Sequence, residues 1–186
     1  MKCEYCEIAK GKLQGEKIYE DKKIVAILKE TAVTHGHVVV FPKKHYVIME
    51  MVPDSLINYI FNVANKLRVA IFESLGVQGT NIIVQNGTGA GQKTPHFSVE
   101  IIPRREEDGL QLDWKPKQLL EEEMDLAFTT LKGEGNKFSE IVGKDQGQDQ
   151  EEEKEVVIDD AKTDTEAVLE KKDEENYLLK SLNKIP

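Results

Sequence analysis

The clearest pattern along the chain is a set of apolar positions at steps of three and four, Leu56, Ile60, Val63, Leu67, Ile71 and Leu75, which predicts one long amphipathic helix. Asp54 is placed to cap its start and Gly76 to end it. Before this helix the pattern is that of strands. Lys17 to Glu20 and Lys23 to Leu28 flank a turn at Asp21-Lys22, and the β-branched run His37 to Phe41 is closed by Pro42. After it, Asn81 to Gln85 returns to strand. The glycine-rich stretch Gly87-Thr88-Gly89-Ala90-Gly91 follows, and His96 to Ile102 forms a further strand ended by Pro103. Pro116 opens a second predicted helix reaching about Leu131. Consecutive strands with segregated helices predict an α+β fold rather than an alternating parallel-sheet one.

Past Gly133 apolar residues become sparse, and residues 144–176 are expected to be a disordered acidic linker, because so few apolar groups cannot offset the entropy of ordering. The chain ends on Tyr177-Leu178-Leu179-Lys180-Ser181-Leu182-Asn183-Lys184-Ile185-Pro186, an apolar-spaced decamer that either docks on a protein partner or frays. The expected organisation is a domain over 1–110, a helical extension over 111–143, the linker over 144–176 and the terminal segment 177–186. Charge changes this picture little. Residues 144–176 hold 14 acidic and 5 basic side chains, which is the whole net charge of −9; the remainder carries 20 of each. The folded part is therefore free to take a phosphate-bearing ligand, while a generic DNA-coating role is disfavoured. The charged N-terminus does not read as a signal peptide and no apolar run approaches a membrane span, so a cytoplasmic protein is expected. In a reducing compartment Cys3-x-x-Cys6 reads as a metal half-site or a redox pair.

The segment Gly36-His37-Val38-Val39-Val40-Phe41-Pro42-Lys43-Lys44-His45, followed by Gly91-Gln92-Lys93-Thr94-Pro95-His96-Phe97-Ser98-Val99-Glu100-Ile101-Ile102-Pro103-Arg104, is similar to the two signature segments of histidine triad (HIT) proteins. The resemblance runs from Cys3 to about Gly109 and includes the Tyr19-Glu20-Asp21 turn. It implies a five-stranded antiparallel sheet with two helices, commonly dimerised, that binds a nucleotide and transfers or hydrolyses its phosphate through a histidine. It also implies a structural zinc ion held by Cys3, Cys6, His45 and His96, since two thiolates and two imidazoles close a tetrahedron without an open position.

The catalytic pattern departs from the family. Where it has His-x-His-x-His, this chain has His96, Ser98 and Glu100. Side chains alternate along a strand, so 96, 98 and 100 share one face while Phe97, Val99 and Ile101 face the core. Ser98 stands where the resemblance places the nucleophilic imidazole, and a serine hydroxyl needs an adjacent base to attack phosphorus. His37 matches another active-site histidine of the family; it could orient a ligand, serve Ser98 as base, or be a leftover strand-start residue. Lys29 replaces the acidic residue expected at the ribose hydroxyls, Gln85 an asparagine, and Lys93 a small hydroxyl residue, whereas Gly87, Gly89, Gly91 and Gln92 keep the phosphate loop, whose amides could form an anion nest. The resulting expectation is a zinc-stapled pseudoenzyme that binds a nucleotide or phosphate ligand with impaired or absent hydrolase activity. One alternative is an active phosphohydrolase or nucleotidyl transferase using Ser98 with His37; another is an interaction scaffold acting through the acidic tail.

Overall fold

A computed structural model describes residues 3–112 and 114–145, with the backbone alone for 136–145. The expectations for the linker beyond Asp145 and for the terminal decamer lie outside the described residues. Five strands, β1 (Lys17–Glu20), β2 (Ile24–Leu28), β3 (Val38–Pro42), β4 (Gly79–Ile83) and β5 (Val99–Arg104), pair antiparallel in the order β1-β2-β3-β5-β4. Among the described residues three α-helices accompany them: α1 (Glu4–Ala9), α2 (Asp54–Leu75) and α3 (Glu121–Asp145). The described residues divide into two compact units, one ending at Leu110 and the other starting at Gln111.

The sheet is covered on both faces, and the two-residue alternation decides which side chain goes where. Ile24, Ala26, Val38, Val40, Val99 and Ile101 meet Ile60, Val63, Ala64 and Ile71 of α2. Val25, Ile27, Val39 and Phe41 point the other way, against Tyr5 and Ile8 of α1. The α2 pattern is that of the sequence, with Gly76 closing the helix in the left-handed conformation at φ 58°. Asp54, expected as cap, is the first helical residue instead. Pro53 holds the cap position, its carbonyl accepting from the Leu56 and Ile57 amides, and the Asp54 carboxylate sits in the first turn, where the helix dipole favours it.

Both ends of β5 and of α3 differ from expectation. Strand β5 starts at Val99 rather than His96, because the His96 amide donates to Thr94 O and Phe97 to Tyr46 O before the ladder begins. It continues through Pro103, which pairs with Thr80 on β4 where β3 has already stopped at Val38↔Ile101, so the missing proline N–H costs little there. Helix α3 starts at Glu121, not Pro116: the Glu123 carboxylate accepts from the Leu120 amide at 3.0 Å, half of a capping box. It also extends to Asp145, two residues into the segment expected as linker.

Candidate metal centre and ligand cavity

Two clusters form on the α1 side of the sheet. In the first, Cys3 precedes α1, Cys6 lies within it, His45 follows β3 and His96 precedes β5. Their donor atoms all fall within 4.8 Å of one another. Cys3 Sγ is 3.3 Å and Cys6 Sγ 3.5 Å from His96 Nδ1, Cys6 Sγ is 3.2 Å from His45 Nδ1, and the two Nδ1 atoms are 3.3 Å apart. Tetrahedral bonds of about 2.0–2.3 Å to nitrogen and sulfur would separate donors by roughly 3.3–3.8 Å, so the four residues fit a single metal ion. The tautomer fits as well. His96 Nε2–H donates to Pro42 O at 2.9 Å, leaving Nδ1 with its lone pair toward the cluster. Both cysteines are free thiols, so no disulfide competes for them.

The second cluster arises from neighbouring strands. Lys29 follows β2, His37 precedes β3, and Glu100 on β5 pairs with Val39, which puts its carboxylate on the side of the sheet that His37 occupies. Glu100 Oε1 accepts from Lys29 Nζ at 2.6 Å and Oε2 meets His37 Nε2 at 3.1 Å. His37 is 1% exposed, and the Val33 amide donates to its Nδ1 at 3.4 Å. With Nδ1 accepting, Nε2 carries the proton and donates to Glu100. Burial raises the Glu100 pKa, but the hydrogen bonds from His37 and Lys29, with the Lys29 charge, prevail and hold it at about 2.

That depression has a pH consequence. A carboxylate below its ordinary value of 4.5 stabilises the fold fully above about pH 4.5 and loses this contribution as pH falls toward 2. The gap in unfolding free energy between the parent and Glu100→Gln should therefore be widest near neutrality, on the order of 2 kcal/mol, and close as pH falls. A gap that stays constant down to about pH 2.5 would show that the ion pair contributes nothing.

Between the sheet and α1 lies a cavity of about 890 Å³. Ile8, Leu13, Ile27, Leu28 and Val39 supply an apolar part; Gln85, Gln92, Lys93, Thr94 and Ser98 supply a polar one, with Lys29 and Glu100 also in the wall. Of the residues singled out in the sequence, Lys29, Gln85, Gln92, Lys93, Ser98 and Glu100 meet here, while His37 stands behind Glu100. Gly87, Gly89 and Gly91 are not part of the lining. The loop is closed on itself: the Gly87 amide donates to Gln92 Oε1, Ala90 and Gln92 to Gly87 O, and Gly91 to Thr88 O. Gln92 Nε2 donates onward to Val47 O and Thr94 O. Gly91 has φ 85°, and a Cβ there would meet Gln85 Nε2 at 2.9 Å, so glycine keeps both turn and side chain in place. The loop thus aims Gln92 to Thr94 at the cavity and spends those four amides internally.

Sequence reasoning missed the wall supplied by α1. Tyr5 is 7% exposed and stacks on Phe41 with centroids 4.5 Å apart, and its hydroxyl interacts with the side chains of Thr94 and Ser98. Burial, then the charges of Glu100 and Glu4, push its pKa up to about 12, so it remains a protonated donor. The available signal was the Cys-x-x-Cys spacing itself, since a metal gripping both cysteines fixes the residues between and beside them.

The fold is an antiparallel α+β sheet with a Cys2His2 cluster that could hold a metal ion beside a cavity with an apolar and a polar part. Comparison with known proteins places it further: residues 10–107 match the HIT domain, and the chain belongs to the histidine triad family. It is 40% identical over 108 residues to an uncharacterised HIT-like protein of Methanocaldococcus jannaschii, covering 58% of this chain and 82% of that one. It is 35% identical over 108 residues to the adenylylsulfatase HINT3 of Arabidopsis thaliana, covering 58% of this chain and 55% of the plant protein. The crystal structure of a zinc-bound histidine triad family protein from Mycobacterium smegmatis matches with a TM-score of 0.58 and 31% identity, over 63% of this chain and 85% of that one. Among the described residues no helix is long and apolar enough to cross a membrane.

Proposed function

We propose that this chain is a zinc-stapled HIT protein that binds a nucleotide or related phosphate ligand in the cavity beneath α1 and has impaired or absent hydrolase activity. One observation carries the reading. Ser98 lines the cavity, but the proton on His37 Nε2 is directed at Glu100 and its Nδ1 is occupied by the Val33 amide, leaving no lone pair to take the serine proton. Tyr5, in the same wall, keeps its proton at neutral pH and so supplies no base either.

The cavity suits a ligand with one apolar ring and one anionic end. Aliphatic side chains and Tyr5 offer a slot for the ring, and Lys93, Thr94 and Ser98 offer donors for the anion, while Gln92, whose own donors are engaged, braces the loop. Glu100 does not repel that anion as a bare carboxylate would, because Lys29 neutralises it. At the Cys2His2 cluster, zinc fills four protein ligands and leaves no position for water, so it serves structure; the zinc-bound Mycobacterium relative supports the choice of metal.

The test is calorimetry with AMP and single-turnover assays with an AMP-amine conjugate and adenosine 5′-phosphosulfate, using protein in excess. AMP should bind, product should form no faster than in buffer, and Ser98→Ala should leave product formation at that same background. Turnover that Ser98→Ala abolishes would establish the serine-enzyme reading in place of this one.

A further inference from the structure

The metal cluster and the ligand cavity share one element. Helix α1 has six residues, far below the length at which a helix holds itself together in water. Its N-cap residue, Cys3, makes no side-chain cap bond; the sulfur is turned to His96 instead. Cys3 and Cys6 are three apart and so lie on one side of the helix, above His45 and His96. Tyr5 and Ile8, also three apart, lie on an adjacent side, packed on Phe41 and Val39 and forming part of the cavity wall. A grip on the two sulfurs fixes both the height of this short helix and its rotation about its axis. With that rotation fixed, the Tyr5 hydroxyl stands beside Thr94 and Ser98.

We infer that α1 couples the two sites: Cys3 and Cys6, held by metal, are positioning residues for the wall formed by Tyr5 and Ile8, so metal occupancy tightens ligand binding and ligand occupancy tightens metal binding. Two features separate this from a general stabilising role. The main core, α2 against β3 and β5, contains none of the four metal ligands, so it persists when the metal leaves. And the coupling is reciprocal, the two affinity changes being the same factor. The ligand arm rests on the nucleotide reading above; the α1 arm does not.

The experiment uses the full chain, zinc-loaded and chelator-stripped, with AMP as probe. Calorimetry should show AMP affinity falling by about tenfold or more on stripping, and chelator competition should show saturating AMP raising zinc affinity by the same factor. Hydrogen exchange should rise on stripping across residues 4–13 and remain slow in Asp54–Leu75. Tyr5→Ala should keep one zinc per chain and lose AMP affinity, which separates the wall from the metal. AMP affinity indifferent to zinc, unaltered by Tyr5→Ala, or exchange rising equally in α2 would overturn the coupling. Failure of the zinc-loaded protein to bind AMP would instead refute the nucleotide reading, and with it the ligand arm, while the exchange comparison would still decide whether the metal holds α1.

Discussion

His45→Ala protein should purify without metal and melt about 10 °C or more below the parent, because 1 kcal/mol moves the midpoint of a domain this size by about 4–8 °C. His45 is the informative position because its side chain is exposed and belongs to no apolar cluster, so truncation removes a ligand without opening a cavity in the core. Cys6→Ser should behave alike, whereas Cys3→Ser adds the loss of a buried residue. In isolated zinc fingers the metal supplies about 10–16 kcal/mol and folding depends on it outright. Here the sheet and α2 form a core of their own, so the expected loss is on the order of 2–3 kcal/mol, confined to α1 and the segments it touches. Metal analysis with scanning fluorimetry decides the matter: a parent that carries no zinc, or variants that melt with it, would remove the structural-metal claim.

Ser98→His, the simplest repair of the triad, should leave cleavage of an AMP-amine substrate close to background. Position 98 already faces the cavity, and loss of a nucleophile alone can cost about a million-fold, so restoring it looks sufficient. The surroundings argue otherwise. Lys29 and Glu100 are joined at 2.6 Å, and His37 is committed to the same carboxylate, so a new imidazole would find both of its natural supports engaged elsewhere. Misplacement of about an ångström costs roughly a hundred-fold. The triple variant Ser98→His, Glu100→His, Lys29→Asp removes the pair and frees His37 together, and should exceed Ser98→His by more than about tenfold, or about 1.4 kcal/mol of barrier, with zinc content unchanged. Family-like turnover from Ser98→His alone would show that the ligand site is intact and that the loss of chemistry is a single-residue matter.

The strands and α2 were legible for different reasons: short apolar, β-branched runs bounded by turn residues and proline, and a three-four spacing along a helix of twenty-two residues that ends on Gly76. Helix α1 was not, since six residues with Tyr5 and Ile8 as the buried pair hold less than two turns of periodicity, and what they pack against, a sheet face and the imidazoles of His45 and His96, is supplied from elsewhere. The metal ligands could be named from the family resemblance because cysteine and histidine at those points have few other uses. The partnership of Lys29 with Glu100 could not, because 71 residues separate them and only the β2-β3-β5 order brings them together. Read singly, each looked like a defect in a nucleotide site. Together they are one substitution of a charge pair.

That pairing carries a constraint on how such a site can change. Converting Lys29 alone to an uncharged residue leaves a carboxylate at the cavity wall with His37 as its remaining partner, and converting Glu100 alone leaves an ammonium facing His37. Either step is costlier than the two combined, since removing one partner of a shielded pair exposes the other's full desolvation penalty. Positions 29 and 100 should therefore show epistasis in stability, each single change costing more than the two made together. Position 98 contacts neither charge through a hydrogen bond and is free to vary separately, so the route to or from chemistry at this strand face has two independent gates, one a single residue wide and the other passable only by a double step.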